Sequence, residues 1–155
     1  VMIRGVADDC DQAKITLEAV PDQPGIAAEI FGELADARIN VDIIVQSATE
    51  GSQNDISFTV GAADLERALE ICQAAAKKVG GGQVKAHQDI AKISIVGVAM
   101  AQHSGVAATM FRTLAAKKIN IQMISTSEIR ISVIIDKARA RDAVQALHTA
   151  FELDA

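Results

Sequence analysis

The stretch GIAAEIFGELADARIN, Gly25 to Asn40, recurs as GVAATMFRTLAAKKIN, Gly105 to Asn120. At this offset of 80, eight of the sixteen positions are identical: Gly25/Gly105, Ala27/Ala107, Ala28/Ala108, Phe31/Phe111, Leu34/Leu114, Ala35/Ala115, Ile39/Ile119 and Asn40/Asn120. Upstream, Lys14-Ile-Thr-Leu meets Lys92-Ile-Ser-Ile at an offset of 78, and downstream Ile56-Ser-Phe meets Ile131-Ser-Val at an offset of 75. The 155-residue chain is a tandem duplication, so reading one copy decides the fold.

In the first copy, Ile15, Leu17 and Ala19 alternate with Thr16 and Glu18, the period of a strand with one covered face, and Pro21 ends it. Ile26, Ile30 and Leu34, flanked by Ala27 and Phe31, predict a helix from about Pro24 to Ala37, opened by Asp22-Gln-Pro-Gly. Val41 to Gln46 and the alternating Ile56, Phe58, Val60 predict a hairpin across the polar turn Ala48 to Asn54. Leu65, Ala68, Leu69, Cys72, Ala76 and Val79 predict a second helix, stopped by Gly80-Gly-Gly, and a short strand follows over Gln83 to His87.

The order β-α-β-β-α-β predicts an α+β architecture of two ferredoxin-like domains, each an antiparallel sheet with helices on one face. The second copy, Lys92 to Phe151, repeats the order without a fourth strand. The apolar leading segment Val1 to Ala7 is expected to fill that vacant edge, since an open apolar edge invites aggregation. The expected domains are residues 13–90, and residues 1–12 together with 91–155, the second being discontinuous.

Composition narrows the function. Half the residues are apolar, 23% are charged, and aromatics are four Phe with no Trp or Tyr, which fits an aliphatic core and argues against disorder. Fifteen basic against twenty acidic residues give 15 − 20 = −5, without the positive surface or stacking aromatics that nucleic acid requires. Apolar runs fall far short of the roughly 20 residues that cross a bilayer, and no signal-peptide pattern is present, so the expected location is cytoplasmic. Cys10 and Cys72 form no CxxC pair, and Cys72 continues an apolar helix stripe as a buried hydrophobe.

The chain carries no phosphate-loop GxxxxGK and no GxSxG, and no catalytic residue is assigned. His87, His103 and His148 are isolated in sequence, so no metal and no cofactor are expected. Glu33 and Asp36 read as the solvated face of a helix. What the duplication provides is two polar turns feeding helix N-termini, Asp22-Gln-Pro-Gly25 and Gln102-His-Ser-Gly105. Unpaired amides and the helix dipole favour a carboxylate there, and glycine permits close approach. Such turns are either ordinary caps or an amino-acid pocket. Asn40, Gln46, Asn120 and Ser125-Thr-Ser-Glu128 add polar groups to otherwise apolar strands.

Pro21-Asp-Gln-Pro-Gly-Ile-Ala-Ala28, Ala37-Arg-Ile-Asn-Val-Asp-Ile-Ile-Val-Gln46 and Ile119-Asn-Ile-Gln-Met-Ile-Ser-Thr-Ser-Glu-Ile-Arg-Ile-Ser-Val133 together resemble the tandem ACT domains of aspartate kinase over nearly the whole chain. The resemblance implies a regulatory region for feedback control of lysine, threonine and methionine biosynthesis. It is then an excised fragment or a small regulatory subunit, not itself an enzyme, that works beside a kinase catalytic domain or subunit. It further implies a homodimer in which ACT1 of one chain faces ACT2 of another, with L-threonine or L-lysine bound between them. Carried over by residue, the effector site is Asp22, Pro24, Gly25, Ile26, Ala27 and Gln46, completed by Asn120 and Ile121 of the facing chain. A second, pseudo-equivalent site comprises Asn40, Val41, Ser104, Gly105, Val106, Ala107, Ser127 and Glu128, where lysine is the implied ligand. There Gln102-His-Ser replaces Asp22-Gln-Pro, so an acidic partner for an ammonium group is missing. Two alternatives compete: a dimerisation module without ligand, and a small hydrolase of the acylphosphatase kind, for which neither turn supplies a convincing Arg and Asn.

Overall fold

Among the described residues, twelve segments of regular structure follow one another in the order the duplication dictates. The structure is a computed structural model that describes residues 2–48, 51, 53–98 and 104–153. The main elements are β1 (Met2–Pro21), α1 (Ile26–Asp36), β2 (Val41–Ala48), β3 (Gln53–Gly61), α2 (Leu65–Lys78), β4 (Gln83–Val98), α3 (Ser104–Ala116), β5 (Met123–Thr126), β6 (Arg130–Asp136) and α4 (Ala140–Ala150). Short 3-10 turns at Ala62–Asp64 and Lys137–Arg139 lead into α2 and α4.

By their contacts, Asp11–Gln88 form one unit, and Val1–Cys10 with Asp89–Ala155 form the other. β1 and β4 are longer than the periodicity suggested, and each contributes one part to either unit. The predicted strand beginning at Lys14 and the leading apolar segment from Met2 onward are one strand; Val1 lies outside the described residues. Likewise the short strand Gln83 to His87 runs on into the strand read as the start of the second copy.

The Asp11–Gln88 unit has the strand order β2-β3-β1-β4, and β3 pairs antiparallel with both β1 and β2. Its core gathers Ile15 and Leu17 of β1, Ile30 and Leu34 of α1, Phe58 of β3 and Cys72 of α2, all fully buried. Sequence alternation places Ala19 inward, but the ladder slips between Leu17 and Val20. Ala19 adopts φ +58°, its N–H donates to Asp55 Oδ1 at 2.9 Å, and Val20 turns into the core instead. An extra residue in one strand of a pair flips every side chain beyond it. Gly82, at φ +104°, sits where a Cβ would lie 2.9 Å from Val20 Cγ1 and 3.1 Å from the Glu18 carbonyl, so only glycine fits against the bulge.

The other unit has the order β1-β4-β6-β5 with β6 antiparallel to both neighbours. Ile93 and Ile95 of β4, Met110 and Leu114 of α3, Val133 of β6 and Leu147 of α4 form its core, and Ile3, Val6 and Cys10 pack against it. Hydroxyls mark the duplication at its centre: Thr16 Oγ1 and Ser57 Oγ are 2.9 Å apart in one unit, Ser94 Oγ and Ser132 Oγ 2.7 Å apart at the matching place in the other.

Candidate functional site

β1 ends at Pro21, whose missing N–H cannot continue a ladder, and the chain turns through Asp22–Pro24 before entering α1. The helix starts at Ile26, two residues later than expected. Its N-cap is Gly25 in the left-handed region at φ +92°, where a side chain is strained. No side chain caps this end. The Ile26 N–H reaches the Gln23 carbonyl at 3.4 Å, and the Gly25 carbonyl accepts from the Glu29 N–H at 2.9 Å. The first amides of a helix lack intrahelical partners and carry the positive end of its dipole, which suits an anionic group.

A cavity of about 230 Å³ opens beside this turn, lined by Val20, Pro21, Gln23, Pro24, Gly25, Ile26, Ala27, Gln46, Asn54 and Ile56. Register explains why residues so far apart in sequence meet there. Gln46 of β2 stands opposite Ile56 of β3, and Asn54 of β3 stands opposite Val20 on the other side. Five of the expected site residues, Pro24, Gly25, Ile26, Ala27 and Gln46, therefore line one cavity. Asp22 adjoins it: its Oδ1 accepts from Asn54 Nδ2 at 2.9 Å. Polarity and spacing do not point to Asn54 or Ile56, and Asn54 falls at the end of a polar run that predicts a turn. It is in fact a strand residue only 6% exposed.

The remaining expected residues lie elsewhere. Asn120 is exposed just beyond α3, and Ile121 is half-buried against the core of the other unit. Of the second set, Asn40 is exposed and Val41 packs on the first core, whereas Gly105, Val106 and Ala107 belong to α3 and Val106 is buried. Ser104 opens α3. Ser127 closes the β5–β6 turn, its N–H donating to the Arg130 carbonyl at 2.8 Å, and Glu128 is exposed beside it. Gln102 and His103 lie outside the described residues.

Charge elsewhere is structural. Lys78 Nζ bridges Glu29 and Glu33 at 3.0 and 3.1 Å, so Glu33 is tied down, not simply solvated as the sequence suggested. Burial, with Glu33 adding to it, pushes the Cys72 thiol up to about 12, far from a reactive thiolate. Among the described residues no group of three His, Cys, Asp or Glu is placed to hold a metal ion, and no helix is long and apolar enough to cross a membrane.

Two α+β units of matching element order define a duplicated ferredoxin-like architecture. The chain belongs to the ACT-domain family, whose model matches residues 15–75 and 93–151, one match in each copy. Within that family its relatives are aspartate kinases and their regulatory subunits. It is 49% identical over 154 residues to an aspartate kinase of Pseudomonas fluorescens, covering 99% of this chain and 37% of that one. The regulatory subunit of aspartate kinase from Thermus thermophilus, in a ligand-free form, superposes with a TM-score of 0.92 at 45% identity, covering 96% of this chain and 98% of that one. A structure of aspartokinase alpha and beta subunits gives 0.90 at 44% identity, covering 97% and 99%. The chain thus spans little more than a third of the curated relatives it matches and nearly all of the regulatory subunits.

Proposed function

We propose that the Asp11–Gln88 unit binds a free α-amino acid in the cavity at the start of α1, and that occupancy regulates an aspartate kinase by feedback. L-Threonine or L-lysine is the proposed effector. The cavity carries this reading, because it unites the Pro24–Ala27 helix entry with Gln46. At about 230 Å³ it lies below the range of about 300–1,000 Å³ that drug-sized ligands occupy, which suits a metabolite of few atoms. In this scheme the ligand carboxylate sits at the amides that open α1, Asp22 holds its ammonium group, and Gln46 reads the polar atoms of its side chain.

Asn120 and Ile121 of a second copy complete the site, so ligand and homodimer stabilise each other by mass action. The pseudo-equivalent site, with Asn40, Val41, Ser104, Gly105, Val106, Ala107, Ser127 and Glu128, is the weaker one for lack of an acid at the position of Asp22. Transfer of phosphate to aspartate is assigned to a catalytic domain or subunit beyond these residues. An effector shifts that catalyst only as far as it prefers one arrangement of the ACT pair, and a coupling of about 1–3 kcal/mol gives severalfold inhibition.

Titration calorimetry with L-threonine and then L-lysine tests the reading in a chain that lacks Trp and Tyr. Saturable binding that Gln46→Ala weakens about tenfold, through loss of a side-chain hydrogen bond to the ligand, supports it. Absence of heat with both amino acids overturns it in favour of a dimerisation module.

A further inference from the structure

We propose that Asn54 is the positioning residue that makes this cavity selective for ligands bearing an α-ammonium group, and that it does so through Asp22. The inference rests on the amino-acid reading of the cavity and adds to it a residue and a specificity.

Asp22 is exposed on a turn between two elements, and an exposed carboxylate free to rotate in water is a poor partner for a ligand cation, because ordering it consumes most of what the contact gains. Here it is not free. Asn54 Nδ2 donates to its Oδ1 at 2.9 Å, and Asn54 is a nearly buried strand residue that itself lines the cavity. One carboxylate oxygen is thereby fixed, and the other retains its acceptor capacity for an ammonium group. The next residue on the strand holds the same segment from the other side: Asp55 Oδ1 accepts the Ala19 N–H at the bulge that turns Val20 inward. Two consecutive side chains of β3 thus tie down both the bulge and the turn that flank the cavity.

The other copy lacks this device altogether. At the offset of 75 that aligns Ile56 with Ile131, Asn54 corresponds to Ile129, which is 54% exposed, and at the offset of 80 Asp22 corresponds to Gln102. Ile129 brings no amide donor to the place of Asn54, and Gln102 no carboxylate to the place of Asp22. The selectivity therefore belongs to the first copy alone.

A double-mutant cycle on the 155-residue chain tests this by titration with L-threonine, and with L-lysine if threonine gives no heat. Asp22→Asn and Asn54→Leu are each expected to weaken binding about tenfold, and the double variant no more than Asp22→Asn alone, because Asn54 acts through the carboxylate. Losses that multiply to about a hundredfold overturn the proposal, since Asn54 then contributes independently of Asp22. So does unchanged affinity in Asn54→Leu while Gln46→Ala is weakened, a result that leaves the amino-acid reading standing. A wild-type chain that binds neither amino acid overturns that reading and the inference with it. Competition by 3-hydroxybutyrate, which is threonine without its ammonium group, gives a second readout: the preference for threonine over it falls about tenfold in Asn54→Leu and stays constant if Asn54 only supports the fold. Asn54→Ser serves the same cycle should the leucine variant not fold, as judged by circular dichroism.

Discussion

The two copies keep the same frame and fill it with different chemistry. Where Asp64 and Arg67 form an ion pair at 3.4 Å in the first copy, Arg139 and Asp142 form one at 3.3 Å in the second, with acid and base exchanged at matching positions. In both, the arginine also donates to carbonyls at the end of the preceding copy-mate helix, Arg67 to Ala37 and Arg139 to Lys117 at 2.9 Å. A helix end presents carbonyls without intrahelical partners, so the donor is required and its position in the sequence is not. By contrast, the groups around the cavity have no such exchange: Asp22 and Asn54 meet Gln102 and Ile129. Features that serve folding are preserved by compensation, and those that the proposed site uses occur once.

The largest test of that contrast is in the cores. Phe58 is fully buried and meets Phe31 edge to face at 5.3 Å, whereas Val133 occupies its place in the second copy. Phe58→Ala should destabilise the Asp11–Gln88 unit by about 3–5 kcal/mol, and Val133→Ala its counterpart by about 2 kcal/mol. Amide hydrogen exchange, read unit by unit, would show whether each loss stays in its own unit. Equal losses would mean that the second core is packed as tightly around its smaller residue.

The buried hydroxyl pairs come next. Ser132→Ala leaves Ser94, only 1% exposed, without its 2.7 Å partner and should cost about 1–3 kcal/mol, whereas Ser94→Ala with Ser132→Ala together should cost less than Ser132→Ala alone. The same substitution at Ser57 should cost less, because Thr16 is half-buried and water can replace the lost partner. Chemical denaturation followed by circular dichroism measures all three. A larger loss at Ser57 than at Ser132 would contradict the burial argument.

Much of this was legible in the sequence because duplication and periodicity are statements about many residues at once. The helices, the hairpins and the α+β order follow from spacing that survives in both copies. What was not legible depends on single residues. The bulge at Ala19 adds one residue to β1, so counting alternate positions placed the wrong side chain in the core beyond Leu17. Asn54 stands among turn-forming residues, yet pairing with Val20 draws it into a strand and under cover. Of the cavity, the helix entry and Gln46 were readable from resemblance and polarity, but Asn54 and Ile56 join it only through the register of three strands.

Helix ends offer a gain in place of a loss. All four helices close with the same pair of hydrogen bonds, and the left-handed residue is glycine only after α2; Arg38, Lys118 and Glu152 take it elsewhere, at φ near +60°. The left-handed conformation costs a residue with a Cβ about 1–2 kcal/mol, and the greater freedom of glycine in the unfolded chain returns part of this. Lys118→Gly should therefore raise stability by about 0.5–1 kcal/mol, and Arg38→Gly by the same amount, since both sit at matching positions. Thermal melting of the two variants would show unequal gains if either side chain made a further contact of consequence.

The smallest expected effect distinguishes the copies by pH. Lys78 lies beside Glu29 and Glu33, and through its hydrogen bond and charge holds the Glu29 carboxyl below the usual range, while the two carboxylates raise Lys78 above its own. A carboxyl whose value is depressed in the folded state stabilises that state above its unfolded value, near 4.3, and the contribution disappears as pH falls through the folded value. The lysine, whose value is raised, contributes at all lower pH and loses its share only as pH rises beyond about 10.4. The second copy carries Thr109 and Thr113 at the positions of Glu29 and Glu33, so it has no equivalent network. Lys78→Met should flatten the acid limb of stability below about pH 5 in the Asp11–Gln88 unit and leave exchange rates in the other unchanged. Because the three groups face solvent, 0.5 M salt should mimic the substitution, as screening reaches exposed charges within a few ångströms at about that ionic strength. An acid limb that persists in Lys78→Met would place the responsible carboxylates outside this cluster.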